Sequence, residues 1–539
     1  TSVGANPSLL PRHSETAPGT ATAPCDAARM SSVAPSGSPS PTPGSDTLAV
    51  VRNRGLETTG IEIVEESERT ARPHDLFWPW FAANVSVFGI SYGTYVLGFG
   101  LSFLQAVLVS VVGIVLSFLL CGLVAIAGKR ASAPTMVISR ASFGVVGQKV
   151  PGVLSWIVSI GWETFLAIMA TLATATVVQQ LGWASGTPVK IIAMLVVAGL
   201  IVAASVAGYH VIMRLQSVLT WLTGVATIAY IAMTLPRVRW DALSDLPAGS
   251  FQQVIGALVM VMTGFGLGWI NIAADWSRYQ SRDASSASIV GWNTLGGALA
   301  PSLLVAYGIG LAGSDEDLSA GIVTDPVGTL ATILPTWFLV PFLLAAVLAL
   351  VSGAVLGIYS SGLTLLSLGV RIPRPAAALV DGILLTLGTI YVVFFAESFL
   401  GPFQSFLITL GVPLAAWAGI FLSDLALRRR DYDEQALFDP RGRYGAWDRT
   451  SIGLLLASSI VGWGLVTNAM PDSTWNNWQG YLLKAFLGTK LVEDPAGSYW
   501  EGDWSYANLG VLASLLLAFL GGLLLRRGTV RRQEAGAGA

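Results

Sequence analysis

From about residue 75 onward, the chain alternates between long apolar stretches and short polar segments that contain most of its Lys and Arg. A helix that crosses the hydrocarbon core of a bilayer needs about 20 predominantly apolar residues. The pattern therefore predicts twelve membrane-spanning helices, numbered here as spans. Their predicted bounds are 76–100, 103–128, 151–181, 189–210, 215–235, 251–274, 288–312, 336–369, 377–396, 403–424, 451–470 and 505–525.

The composition supports an all-α integral membrane protein. Of the 539 residues, 53% are hydrophobic and 12% are charged, whereas soluble chains have about 25% charged residues. A net charge of -2 without an extended basic face argues against a nucleic-acid partner. The two cysteines, Cys25 and Cys121, lie far apart, and the chain has three histidines, so we expect no disulfide framework, metal site or cofactor.

The chain divides into four predicted regions. Residues 1–72 are rich in Ala, Pro, Ser and Thr and include "SGSPSPTPGS", which predicts a disordered tail; the sequence leaves open a start at Met30. Residues 73–430 form a core of two five-span repeats, about 73–240 and 250–430. Residues 431–526 contain spans 11 and 12, and residues 527–539 form a C-terminal tail.

Loop charges predict the orientation. Loops after even-numbered spans are basic, for example "GKRASAPTMVISRASFGVVGQK" and "RRRDYDEQALFDPRGRYGAWDR", whereas loops after odd-numbered spans include the acidic "GSDEDLSAGIVTDP". Basic loops stay on the cytoplasmic side of a membrane. We therefore expect a multi-pass protein of the plasma membrane with both termini in the cytoplasm.

Spans 1 and 6 contain residues that interrupt an apolar helix. Span 1 reads "NVSVFGISYGTYVLGFG", which includes Asn84 and Gly89, and span 6 reads "GFGLGWINIAADWSRY" from Gly264 to Tyr279. The two spans lie five apart, and because five is odd, the second half must be inverted relative to the first. Paired interruptions in two such halves indicate a transport site halfway across the membrane. The alternative is that these glycines only permit close helix packing.

Span 3 places one carboxylate near its centre. Glu163, in "SWIVSIGWETFLAIMATLATATVVQQ", costs at least about 2.5–3.5 kcal/mol to insert when ionised. We therefore expect Glu163 to bind a ring N–H of a solute or to carry a proton, with the adjacent Trp162 stacking on a flat solute. The alternative is that Trp162 faces lipid and Glu163 bonds to a hydroxyl group on a neighbouring helix.

Asp275 and Arg278 follow the interrupted part of span 6. They are three residues apart, so they lie on one helical face and are suited to an ion pair. We expect a structural or gating role for both.

Several segments resemble the purine/cytosine permeases of the nucleobase:cation symporter family. They are "GKRASAPTMVISRASFGVVGQKVPG", "GWE", "AADWSRY" and "YSSGLTLLSLGV". The resemblance implies a LeuT-like fold with a 5+5 inverted repeat and two extra helices. It also implies a planar heterocyclic substrate, such as cytosine, a purine or a hydantoin-like ring. The residues that it places at this substrate are Trp162, Phe265, Gly266, Gly268 and Trp269. From their own chemistry we add Glu163, as an acceptor for a ring N–H, and Asn271 of the interrupted span 6, as an amide.

The resemblance also implies a coupling cation, either H⁺ or Na⁺. We assign its binding to Glu163, Asn84, Gly89 and Ser352. Some family members bind sodium with two neighbouring hydroxyl residues of span 8, but here Gly353 follows Ser352, and Ala354 lies near an expected substrate-binding Asn. A hard cation prefers several oxygen ligands, so these departures favour protons slightly.

The resulting hypothesis is a secondary active transporter that imports a nucleobase or related heterocycle by cation symport with alternating access. A passive channel is the first alternative, and its charge rings or repeated carbonyl filters are missing from the sequence. A membrane-embedded enzyme is a weaker alternative, since no HExxH motif and no nucleophile elbow with a plausible triad occurs in the spans. The remaining partner is the lipid bilayer.

Overall fold

The computed structural model describes residues 60–396, 400–472, 474–495 and 497–535. Its first half contains α1 (Phe77–Asn84), α2 (Phe88–Leu97), α3 (Phe103–Ala131), α4 (Thr135–Ile138), α5 (Arg140–Phe143), α6 (Lys149–Gln180), α7 (Thr187–Ala207), α8 (Tyr209–Thr234) and α9 (Trp240–Ser244). Its second half contains α10 (Phe251–Gly264), α11 (Gly266–Trp269), α12 (Ala273–Ser277), α13 (Ser286–Ala312), α14 (Glu316–Thr324), α15 (Gly328–Thr332), α16 (Thr336–Ser367), α17 (Arg374–Phe395) and α18 (Leu400–Leu427). The remaining elements are α19 (Arg449–Gly464), α20 (Tyr481–Phe486), the antiparallel strands β1 (Lys490–Val492) and β2 (Tyr499–Glu501), α21 (Leu509–Leu525) and α22 (Arg527–Ala535).

The helices follow the predicted spans. In the described part of the chain, nine helical stretches are long and apolar enough to cross a membrane, or ten if the bent pair α21 and α22 is one span. They correspond to spans 2 to 10, with α10, α11 and α12 forming one stretch. Span 1 is divided between α1 and α2, and span 11 is the 16-residue α19. Twelve crossings are consistent with these lengths and stay a prediction.

Helix packing matches the predicted repeat. Span 2 packs along span 7, and span 3 packs along span 8, so each of these contacts joins spans that correspond in the two halves. Span 1 packs on span 7, and span 6 packs on span 2. Because spans 1 and 6 correspond and spans 2 and 7 correspond, these two contacts are equivalent in the two halves. Spans 4 and 9 also contact each other. This reciprocal arrangement is expected of two inverted five-helix units.

Two boundaries differ from the predicted ones. Span 5 begins at Tyr209 because Gly208, with φ of 92°, makes a one-residue turn after α7; the basic segment "YHVIMR" is therefore helical. Span 11 ends at Gly464 rather than near residue 470. Asn468 instead bonds to Ser405 of span 10 and, in the loop that follows span 11, to Met470 and Asn477. Local side-chain bonds of the second kind compete with helix formation.

The segment from Gly60 to Arg72 packs against the ends of the spans, although the predicted disordered tail extended to Arg72; residues 1–59 lie outside the described residues. Arg69 is buried and donates to Gln280 O (3.0 Å), Lys129 O (2.8 Å) and Ser132 Oγ. Burial and the charge of Arg282 lower the pKa of Arg69. This segment lies at the end of the bundle that carries the basic loops, called the basic end below; the opposite end is called the acidic end.

Candidate functional site

Span 1 is interrupted between Asn84 and Phe88. Helix α1 ends when Val85 takes φ -81° and ψ 63°, and α2 starts at Phe88. The Asn84 amide donates to Trp80 O (2.8 Å), and the Phe88 N–H donates to Ser86 Oγ (3.3 Å). The predicted interruption is confirmed, and it leaves irregular backbone inside the bundle, where only protein or a cavity can accommodate it.

Span 6 is interrupted at Phe265. Helix α10 ends at Gly264, Phe265 takes φ -116° and ψ -112°, and the chain continues as α11, a 3-10 turn over Ile270–Ile272, and α12. The second predicted interruption is therefore also confirmed. A Cβ at Gly264 would overlap the Tyr92 hydroxyl of span 1, so a larger residue here would displace the Tyr92 side chain where the two interrupted spans meet.

An inner cavity of about 60 Å³ lies between the two interruptions. Spans 3 and 8 complete its wall. Seven of the predicted site residues line this cavity: Asn84, Gly89, Trp162, Glu163, Phe265, Gly268 and Trp269. A volume of this size holds a few water molecules at about 10–15 Å³ each. A heterocycle therefore needs additional space from the adjoining cavity.

That adjoining cavity is a vestibule of about 570 Å³ on the side of the acidic end. Its lining includes Gly98, Gln253, Gln404, Ala469 and Asn508, which lie at or near the acidic ends of their spans. Four residues line both the vestibule and the inner cavity: Phe88, Tyr92, Trp162 and Gly264. Their side chains and backbone are the partition between the two spaces.

Aromatic rings surround the inner cavity. Trp269 contacts Trp80 edge to face, with ring centroids 5.9 Å apart, and Phe265 lies 4.7 Å from Tyr92. The Trp162 ring makes edge contacts with Phe165 (5.8 Å) and Phe403 (5.2 Å). Rings of this kind provide large apolar faces and bind other planar groups by stacking.

Glu163 is 1% exposed and points toward span 8. Neither of its carboxyl oxygens has a hydrogen-bond partner among the described residues. Gly357 of span 8 makes room for the side chain, since a Cβ there would lie 2.8 Å from Glu163 Cγ. A buried charge without a partner is costly, so this carboxyl group is suited to a proton or to a donor group of a bound solute.

Three predicted site residues lie away from the inner cavity. Gly266 packs against span 2, where its N–H donates to Ser117 Oγ (3.1 Å). The Asn271 amide donates to Ser155 Oγ (2.7 Å) on span 3. The Ser352 hydroxyl donates to Gln216 Oε1, and the Gln216 amide donates to Ser352 O (3.0 Å).

Asp275 and Arg278 are both buried at the basic end, but they have different partners. The Asp275 carboxylate accepts bonds from Thr135 N (2.7 Å) and Thr135 Oγ1 (2.8 Å). Arg278 donates to Gly60 O (2.9 Å) and to the hydroxyl groups of Tyr279 and Tyr359. Thr135 thus holds the carboxylate where the sequence suggested a direct ion pair with Arg278.

Some residues of the site were missed by sequence reasoning. Ser86, Phe88, Tyr92 and Ser159 line the inner cavity. Phe88 and Tyr92 were within the interrupted segment "NVSVFGISYGTYVLGFG" and could have been selected as rings facing a heterocycle. Ser159 lies one helical turn before Glu163, so it shares the face of that residue.

Comparison with known proteins identifies the family of this chain. A family model described as "Permease for cytosine/purines, uracil, thiamine, allantoin" matches residues 63–472. The chain belongs to this permease family. The resemblance noted from the sequence is thereby confirmed, and the permease is a membrane transporter rather than an enzyme.

Individual relatives agree with this assignment. The permease is 24% identical over 495 residues to the purine-cytosine permease FCY2 of Saccharomyces cerevisiae, covering 86% of this chain and 87% of that protein. It is similar to a closed structure of Mhp1, a nucleobase-cation-symport-1 family transporter with bromovinylhydantoin bound (TM-score 0.64, 17% identity, 89% and 99% of the two chains). It is also similar to MhsT in complex with L-phenylalanine (TM-score 0.50, 16% identity, 86% and 100%). These likenesses confirm the LeuT-like fold.

Proposed function

We propose that this permease imports a nucleobase or related planar heterocycle together with a proton, by alternating access. The observation that carries the proposal is the inner cavity, where two interrupted spans, several aromatic rings and one unpartnered carboxyl group meet. Each of these features suits a flat solute with polar edges.

The proposed substrate contacts follow from the chemistry of the lining. Trp162, Phe265 and Trp269 provide rings for stacking, and Glu163 provides an acceptor for a ring N–H. Gly268 lets the Trp162 indole approach span 6, because a Cβ there would lie 3.3 Å from Trp162 Nε1. The family description and the purine and cytosine specificity in the name of FCY2 support cytosine or a purine as substrate.

We propose the proton as coupling ion, although sodium was the open alternative. The Ser352 hydroxyl group is already engaged with Gln216, and Gly353 contributes no side-chain oxygen. A sodium ion prefers several hard oxygen ligands, whereas a proton needs one basic oxygen, which Glu163 provides. Asn84 and Gly89 line the same cavity and stay candidates for contributing polar backbone or amide groups.

The proposed location is the plasma membrane, with both termini and the basic end in the cytoplasm. In that orientation, the vestibule opens to the outside. The basic end is packed with Tyr209 stacked on Tyr279 (4.1 Å) and Trp276 against Tyr359 (5.1 Å). A vestibule on one side and a packed layer on the other favour a carrier over the alternative of a passive channel.

Uptake of radiolabelled cytosine and adenine into proteoliposomes tests this function. We expect saturable uptake that a protonophore abolishes and that replacement of sodium by choline leaves unchanged. Preloaded substrate should accelerate exchange, which a channel cannot do. We expect Glu163→Gln to lose proton-driven accumulation without loss of expression. Sodium-dependent uptake by the unmodified protein would contradict the choice of ion, and Glu163→Gln with normal coupling would contradict the role of Glu163.

A further inference from the structure

A second buried carboxyl group lies close to Glu163. Asp381, on span 9, is 0% exposed. Its Oδ2 accepts the hydroxyl hydrogen of Ser361 (2.7 Å), and its Oδ1 accepts the indole N–H of Trp156 (2.9 Å). Spans 3, 8 and 9 therefore converge on this side chain, away from the proposed substrate contacts.

Ser361 lies near both carboxyl groups and is hydrogen-bonded to Asp381. It lies beside Glu163 as well as Asp381, but it has one hydrogen to donate and gives it to Asp381. Gly357, which makes room for Glu163, is one helical turn before Ser361 on span 8. The three oxygen-bearing side chains thus follow one another from the inner cavity into the interface of spans 8 and 9.

No cation in the described part of the chain neutralises this pair. Among the described residues, no Lys, Arg or His lies within 4.0 Å of either carboxyl group. Arg374, seven residues before Asp381 on span 9, donates to Ser205 O (3.1 Å) and Val206 O (2.8 Å) instead. Two other spans that pack against span 3 carry charged residues. Span 4 has Lys190 near its acidic end, far from Asp381 at the other end of the bundle. In span 10, Asp424 is paired with Arg428 and Arg526.

Two neighbouring carboxylates without a cation cannot both stay charged at low cost, because like charges repel strongly in a medium of low dielectric constant. One proton shared by the pair removes this cost. The arrangement therefore favours a single proton that occupies either Glu163 or Asp381.

We propose that Asp381 accepts the coupling proton from Glu163 through the Ser361 hydroxyl group. In this step, the neutral Glu163 carboxyl group first turns to donate its O–H to Ser361 Oγ. The Glu163 O–H bond then breaks and its proton binds Ser361 Oγ, while the former Ser361 hydroxyl proton binds Asp381 Oδ2. Glu163 becomes a carboxylate, Asp381 becomes neutral, and Ser361 is unchanged. The inference rests on the proposed proton symport and adds a second proton site to it.

The position of Asp381 gives the transfer a direction. Span 9 starts at Arg374 at the basic end, so Asp381 lies about two turns inside it. Trp156 contacts a small apolar cluster of Leu365, Leu366 and Ala377, which also contacts Ile61 of the N-terminal segment. Asp381 is therefore between Glu163 and the basic end, where a proton taken from the vestibule side would leave.

Two transport assays on the same proteoliposomes test the proposal. Counterflow of radiolabelled cytosine measures substrate exchange without net proton movement, and accumulation driven by an imposed pH gradient requires net proton movement. For Asp381→Asn, we expect counterflow at the rate of the unmodified protein and accumulation lowered by about tenfold or more, in line with the effect of removing a positioned proton carrier. Asp381→Asn with normal accumulation would overturn the proposal, as would equal loss of both activities in folded protein.

Ser361→Ala is the second variant, and it decides the question if Asp381→Asn does not fold. It removes the bridging hydroxyl group and leaves both carboxyl groups in place. We expect slower pH-driven accumulation with normal counterflow; unchanged accumulation would overturn the bridge. Thr389→Ala is the matched control, since this buried hydroxyl group of span 9 donates to Leu385 O of its own helix (2.8 Å). Failure of the unmodified protein in both assays would instead contradict the proposed function.

Discussion

Trp162 is the residue on which the proposed binding of a heterocycle depends most. It lines both the inner cavity and the vestibule, and Phe165 and Phe403 hold its ring through edge contacts. A heterocycle entering from the vestibule must therefore pass this ring or stack on it. Trp162 is a preformed stacking surface. Its neighbours already fix the ring, so little side-chain conformational entropy is lost when a solute binds.

We expect Trp162→Ala to weaken binding of the transported heterocycle by about tenfold, because an aromatic pair contributes about 0.5–1.5 kcal/mol beyond its buried area. Trp162→Phe keeps an aromatic face and should lose less. Isothermal titration calorimetry measures both dissociation constants. Trp183→Ala serves as control, since Trp183 is 68% exposed. Unchanged affinity in Trp162→Ala would exclude stacking on this residue.

The sequence predicted which residue types form the site better than it predicted which way their side chains face. Trp162, Glu163, Phe265 and Trp269 line the inner cavity, whereas Asn271 bonds to span 3; the roles assigned to these residues stay predictions. The reason is that α11 and the following 3-10 turn do not keep a single helical period, so facing cannot be extrapolated through the interruption. Asp381 was overlooked because its fifth position in predicted span 9 resembled a helix end.

Close contact between spans 1 and 7 depends on two glycines. A Cβ at Gly93 would overlap the backbone of Gly308, and a Cβ at Gly308 would overlap Ile90 O. Small residues that allow backbones to touch are a main source of helix association in membranes. The position of interrupted span 1 against the rest of the bundle is therefore fixed by backbone contact.

We expect Gly308→Ala to destabilise the permease by about 1–3 kcal/mol, the usual cost of overpacking. Its thermal unfolding in detergent should begin at a lower temperature than that of the unmodified protein. Gly291→Ala on the same helix is the control, because a Cβ there has no atom within 4 Å. Equal melting temperatures for the two variants would contradict the contact between spans 1 and 7.

Span 12 is attached to span 10 by a buried ion network. Asp424 pairs with Arg428 (3.0 Å) and with Arg526 (2.7 Å), and all three side chains are at most 2% exposed. Removal of the carboxylate would leave Arg428 without an acid partner among the described residues, and Arg526 with only the more distant Asp448 (3.6 Å). The network therefore binds span 12, which lies outside the repeat, to span 10 of the repeat.

Asp424→Asn should lower the free energy of unfolding by about 3–5 kcal/mol, the typical cost of leaving a buried charge unpaired. Asp433→Asn is the comparison, since the Asp433–Arg443 pair (2.7 Å) is partly exposed and exposed pairs contribute about 0–1 kcal/mol. Thermal unfolding of both purified variants gives the difference. A smaller effect for Asp424→Asn than for Asp433→Asn would contradict this assignment.

Helix bounds were predicted well where an apolar run ends at charged loops, as in span 2, predicted at 103–128 and observed as α3. They were predicted less well where polar residues continue a helix. The segment "YHVIMR" appeared to be a loop, but its residues extend α8 beyond the apolar core. Hydropathy locates the part of a helix that lies in the hydrocarbon layer, but it does not show how far the helix extends beyond that layer.

The two ends of the helical bundle differ in the part of the chain that the structure describes. The vestibule reaches the acidic end, and the basic end is closed by buried side chains of spans 5, 6 and 8 together with the Gly60–Arg72 segment. In an alternating-access carrier, the substrate site is exposed to one side at a time. We interpret the described conformation as one with access from the acidic end, which the proposed orientation places outside the cell.

Cysteine labelling examines this asymmetry. In a Cys25→Ala background, where Cys121 is buried, Gln404→Cys should react with a membrane-impermeant maleimide added on the acidic side. Ser155→Cys, buried toward the basic end, should react slowly from either side. Addition of cytosine should slow labelling at Gln404 and speed it at Ser155 from the basic side. Equal labelling of both positions from the acidic side would indicate a continuous pore.

In the proposed mechanism a flat heterocycle binds where the two interrupted spans meet, and ligand-dependent melting of the purified permease tests this binding most directly. A ligand that binds the folded state raises the melting temperature with the logarithm of its concentration. Cytosine, adenine, hypoxanthine and hydantoin would be compared with and without sodium, in the unmodified protein and in Trp162→Ala. We predict that at least one of these compounds raises the melting temperature of the unmodified protein independently of sodium. In Trp162→Ala, most of this increase in melting temperature should be lost. No stabilisation by any ring, or an undiminished shift in Trp162→Ala, would contradict the proposed binding.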